Sequence, residues 1–150
     1  MDRAEIKSKI EKGWLRANLI IEVLGKPAEH IEKALEFAIE AMEKEKKVNV
    51  LNKKIHKAVL VKESKDVYTT FAEIEILVDG LYKLIEIVFD YMPSSVEIVE
   101  PTTLSMKLED ANALLNDLAM RLHQYDALLK KGRLELEILK RKLKELGGKA

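Results

Sequence analysis

The sequence predicts an α+β fold: one antiparallel sheet covered by helices, with a short helix before it and a long heptad-repeat helix or helical hairpin after it. Three observations predict this. Between Trp14 and Glu100 the apolar spacing switches repeatedly between alternation, as in strands, and steps of three and four, as in helices. From Leu104 the spacing settles into a sustained heptad. An apolar content of 47% across 150 residues is enough for a core of domain size.

In chain order, "DRAEIKSKIEKG" predicts a short helix, with Asp2 as cap, Ile6 and Ile10 on one face, and Gly13 after its end. In "WLRANLIIEVLG" the alternation of Leu15, Ala17, Leu19, Ile21 and Val23 predicts a strand, closed by Gly25 and Pro27. Ala28 to about Lys47 returns to helical spacing through Ile31, Leu35, Ala38 and Met42. "IHKAVLVKESKDVYTTFAEIEILVD" predicts a hairpin around the polar turn Glu63 to Asp66, its second strand alternating through Ala72, Ile74, Ile76 and Val78. "GLYKLIEIVFDYM" is a second covering helix stopped by Pro93, and "SSVEIVEP" is a last short strand. This β-α-β-β-α-β order predicts a ferredoxin-like plait of four strands with both helices on one face. The expected domains are residues 1–13, the N-terminal helix; 14–101, the ferredoxin-like domain; and 102–150, the C-terminal leucine-heptad segment.

One heptad column of that segment is leucine throughout: Leu108, Leu115, Leu122, Leu129, Leu136 and Leu143. The other includes Leu104, Ala111, Leu118, Tyr125, Gly132, Leu139 and Leu146. Such a helix is too long to bury itself on a small domain, which leaves pairing with copies or partners, or a hairpin turning at Lys130 to Arg133. The phase passes through Gly132 without a slip, and this favours a continuous, self-associating helix. In a parallel dimer, the favoured arrangement, Arg121 meets Asp126 and Glu135 meets Lys140 across the seam. A coiled coil with a different protein is the other partner reading.

The 26 basic and 26 acidic residues cancel, so no global field recruits nucleic acid or an anionic membrane. Charge is regional instead. Residues 43–66 hold eight lysines against four acids, and the tail from Lys130 holds eight basic residues against three glutamates. The basic segments 44–65 and 130–149, with Lys130, Lys131, Arg133, Lys140, Arg141 and Lys142 foremost, therefore predict an alternative role on nucleic acid or the ribosome. The absence of cysteine excludes disulfides, thiolate metal sites and a cysteine nucleophile. His30, His56 and His123 lack metal-site spacing, so no metal or cofactor is expected. Ser94 and Ser95 sit in a turn, and Glu73 and Glu75 lie on a polar strand face, so no catalytic group stands out and an enzyme is not expected. A charged N-terminus and the lack of an 18-residue apolar run predict a cytoplasmic protein outside the membrane. Abundant Glu and Lys with a single glutamine, Gln124, match a thermophile-like composition.

"LGKPAEHIEKAL", Leu24 to Leu35, resembles the strand-loop-helix opening of the ACT family of regulatory domains, and the likeness in element order extends over Trp14 to Glu100. It departs at Ala28, where that family usually has glycine. The resemblance implies a small-molecule sensor whose ligand loop is Gly25, Lys26, Pro27 and His30. The leading expectation is a non-catalytic homo-oligomeric scaffold or adaptor.

Overall fold

The computed structural model describes residues 1–147. Two compact units form, Met1–Leu104 and Ser105–Ala150. The first is built on a five-stranded antiparallel sheet, and the second is a long helix.

Helix α1 (Arg3–Glu11) begins with a capping box: Asp2 accepts from the Glu5 amide, and Glu5 accepts from the Asp2 amide. It ends where Gly13 adopts φ +96°, a left-handed conformation that glycine enters without steric cost. None of its residues is fully buried. Lys9 ties it down, with its ammonium 3.8 Å from the centre of the Trp14 ring and 2.7 Å from Asn49 Oδ1.

Strands β1 (Leu15–Gly25) and β2 (Val48–Ile55) flank a third, eleven-residue strand, and helix α2 (Ala28–Glu43) connects them. Then come β3 (Val59–Leu60), β4 (Tyr68–Val78), α3 (Gly80–Tyr91) and β5 (Ser95–Glu100). The order across the sheet is β2-β4-β1-β5, with β3 also pairing β4. The β1–β4 ladder sets Leu15 opposite Val78, Ala17 opposite Ile76, Leu19 opposite Ile74 and Ile21 opposite Ala72. Since alternate residues share a face, all eight apolar side chains point the same way, and all are buried. Leu35, Ile39 and Met42 of α2 and Leu84 and Ile87 of α3 complete the same core, so both helices cover one face. On this helical side Glu45 accepts from Lys83 at 3.1 Å and from the Tyr91 hydroxyl at 3.3 Å. Burial and the Glu45 charge push the Tyr91 phenol up to about 12.

Several expectations need correction. The strand expected from Ile55 to Val61 is displaced toward the N-terminus: β2 occupies Val48–Ile55, and of the expected segment Ile55 ends β2 while Val59–Leu60 forms a separate short pairing with β4. The sheet therefore has five strands rather than four. As an edge strand, β2 needs only Val48 and Val50 near the core, and a bulge between Val50 and Asn52 breaks its alternation. Asn49, Asn52, Lys53 and Lys54 thus disguise a strand held by its backbone bonds to β4. Helix α2 stops at Glu43 rather than about Lys47, and Lys47 itself turns the chain at φ +66°. Helix α4 (Leu108–Glu145) starts after Leu104 and runs unbroken through Gly132, so the hairpin at Lys130 to Arg133 does not form.

Ile76 makes no contact with solvent, so Ile76→Ala is expected to cost about 2–5 kcal/mol in chemical denaturation. Tyr91 carries an alkaline signature. Its folded pKa lies above the ordinary value, so its contribution is complete below about pH 10 and is lost as pH rises toward 12. Tyr91→Phe should remove a step near pH 12 from a phenolate absorbance titration.

Candidate assembly interface

Helix α4 has 38 residues, about 57 Å at 1.5 Å per residue. Its ends suit the helix dipole, with Glu109 and Asp110 in the first turn and Lys142 and Lys144 in the last. The leucine column runs nearly from end to end. Leu108, Leu115, Leu122, Leu129, Leu136 and Leu143 are all exposed, from 53% at Leu136 to 79% at Leu108. In the second column Leu139 is 57% exposed, whereas Leu118 and Tyr125 are half-buried. Apart from its chain neighbours and its own helix backbone, Gly132 has no described atom within 4 Å of where a Cβ would stand. Around it Tyr125, Leu128, Leu129, Arg133 and Leu136 line an apolar hollow of ≈ 590 Å³.

Of the expected register pair, Arg121 is half-buried and Asp126 is 2.7 Å from Lys130 on its own helix. The basic residues do not converge on one stripe. At about 100° per residue, Arg133 and Lys140 flank one side of the leucine column with Lys130 further round that side, Lys142 lies beyond its other side, and Lys131 and Arg141 occupy the back. A phosphate backbone following one face would meet only part of this set. Lys149, counted with the basic tail, lies outside the described residues.

The expected ligand loop is occupied by the protein's own packing. A Cβ on Gly25 would stand 3.1 Å from the Ile31 side chain, so this glycine lets α2 approach β1. Lys26 bonds Asp66 at 2.5 Å, and the Pro27 carbonyl accepts from the His30 and Ile31 amides. His30 itself is exposed on the first turn of α2. Ser94 serves the turn before β5, donating its amide to the Ile20 carbonyl at 2.7 Å.

The sheet face opposite the helices gathers residues that sequence spacing left scattered. Asn18, Ile20, Asn52, Lys54, Glu73, Glu75, Ser95 and Glu97 line a shallow depression of ≈ 410 Å³. Arg16 bridges Glu75 and Glu100, and its guanidinium pKa is raised chiefly by the bond to Glu75. His56 stacks on Phe71, with ring centroids 4.1 Å apart, and meets Glu73 at 2.9 Å. That contact with His56 is the main reason the Glu73 carboxyl titrates below its ordinary range. Only the β2–β4 register brings His56 to Phe71 and Glu73, so spacing along the chain gave no signal of this cluster. Among the described residues no group of three or more His, Asp or Glu side chains is placed to hold a metal ion. No helix among them is long and apolar enough to cross a membrane.

A pH prediction follows from His56 and Glu73. Because the folded pKa of Glu73 is depressed, its contribution is present above the ordinary carboxylate range and lost as pH falls through the folded value. Glu73→Gln should therefore flatten the acid limb of a stability-versus-pH curve measured by denaturant titration, while an unchanged limb would contradict the pairing.

The family model that matches this chain covers residues 16–146, and so spans all but the first residue of the sheet and the whole of α4. No curated protein and no solved structure matches the chain. The chain belongs to the MJ0538 family.

Proposed function

We propose that this member of the MJ0538 family is a non-catalytic, homo-oligomeric scaffold or adaptor, in which α4 joins copies of the chain and the sheet units are what the assembly presents. One observation carries the reading: six leucines, one per heptad, all more than half-exposed along an unbroken 38-residue helix. Burying one leucine side chain is worth about 1.5–3 kcal/mol, and a contiguous apolar surface of this extent is uncommon on a lone soluble chain. A partner helix with its own heptad covers such a column by setting knobs into holes. That the family match extends from the sheet to residue 146 supports treating α4 as part of the functional unit.

The order β2-β4-β1-β5, with two helices on one face, supports reading the sheet unit as a ferredoxin-like plait to which β3 adds a short pairing. On its open face the chemically versatile groups engage one another, Arg16 with Glu75 and Glu100, and His56 with Glu73, in keeping with a presenting surface rather than a reaction centre. We place the assembly in the cytoplasm, as the sequence reading predicts.

Light scattering on the full chain should give a multiple of 17.1 kDa. Leu122→Glu combined with Leu129→Glu should return the single-chain mass, because charges in adjacent layers of the seam would be desolvated on pairing. Thermal unfolding of the sheet unit should persist in that variant. An assembly of unchanged mass would remove α4 from the interface.

A further inference from the structure

We propose that the partner covering α4 is a second α4 running antiparallel, in the one register that sets Leu122 into the space over the partner's Gly132. The inference rests on the self-association reading above and specifies its geometry. Two unusual residues of the second heptad column, Tyr125 and Gly132, decide the direction of the pair.

In a parallel, in-register pair each residue of a column meets its own copy. Tyr125 would face Tyr125 and Gly132 would face Gly132, which crowds two rings into one layer and leaves a void in the next. The rings cannot fill that void. Helical side chains lean toward the N-terminus, so Tyr125 leans away from Gly132, which lies one heptad further on.

An antiparallel pair instead sets one column against the partner's other column. Because the first column is leucine throughout, every layer then receives at least one leucine. Full overlap of the two helices puts Leu122 against the partner's Gly132 and Leu129 against the partner's Tyr125, with both layers beside the twofold axis. Further out, Leu115 meets the partner's Leu139. The hollow at Gly132, apolar and ≈ 590 Å³, is the space that the partner's Leu122 enters. Flanking charges agree: Arg121 lies beside the partner's Glu135, and Asp126 beside the partner's Arg133. A parallel pair would also match charges, so the core layers are what decide the direction.

The absence of native cysteine makes the test direct. Leu115→Cys and Leu139→Cys are made separately in the full chain, each is oxidised alone, and the two are then mixed by unfolding and refolding before oxidation. Light scattering is run on the same reduced samples. The expected result is an assembled mass, a disulfide-linked dimer from the mixture and no linked dimer from either variant alone, since the two copies of position 115 stand about 36 Å apart along the antiparallel pair. Cross-linking of either variant with itself would overturn the antiparallel direction while leaving self-association intact. An assembled mass with no link in any sample would overturn this register. A single-chain mass for the reduced variants and the unaltered protein alike would overturn the self-association reading as well.

Discussion

The pairing of β1 with β4 is the constraint on which the sheet unit depends. Eleven residues of each strand are matched without a bulge, from Leu15 opposite Val78 to Gly25 opposite Tyr68. A slip of one residue would turn Leu15, Ala17, Leu19 and Ile21 to the polar face, because side-chain direction alternates along a strand. With the register held, both helices have an apolar floor, and the two edge strands are free to be irregular. β2 bulges after Val50, and β5 shifts register near Arg16 and Ala17, without disturbing the core.

That division explains what could be read from the chain and what could not. Central strands must supply the core from their own sequence, so β1 and β4 announce themselves by strict alternation of apolar residues. The amphipathic spacing of α2 and α3 is legible for the same reason. β2 belongs to the edge, where backbone pairing suffices and Asn and Lys are tolerated, so the more apolar segment after it imitates the strand. The cluster of His56, Phe71 and Glu73 was hidden as a consequence, since it exists only once β2 is set against β4. The continuity of α4 was legible because an uninterrupted phase across Gly132 has no reason to survive a turn.

The two units follow different physical rules. The sheet unit encloses its apolar residues within one chain, down to Ala17, Leu35 and Ile76, which are fully shielded from water. α4 spreads leucine along a line, and no helix can cover its own stripe. Charge in the sheet unit is settled locally, as in the bonds of Lys83 to Glu45 and Glu86, which outweigh the effect of burial and raise the lysine's pKa. Along α4 the ion pair of Asp126 with Lys130 joins neighbouring turns of one helix and leaves the leucine line uncovered.

Gly132 gives that contrast a thermodynamic direction. Glycine within a helix is less stable than alanine by about 1 kcal/mol, and among the described residues no side chain beyond its two chain neighbours stands within 4 Å of where a Cβ would be. The penalty falls on every copy standing alone, whereas in the proposed pairing the vacated space serves the neighbour. A single position thus sets folding of the individual helix against association. An alanine there would make α4 a better helix and, by closing the hollow, a poorer surface for another to settle on.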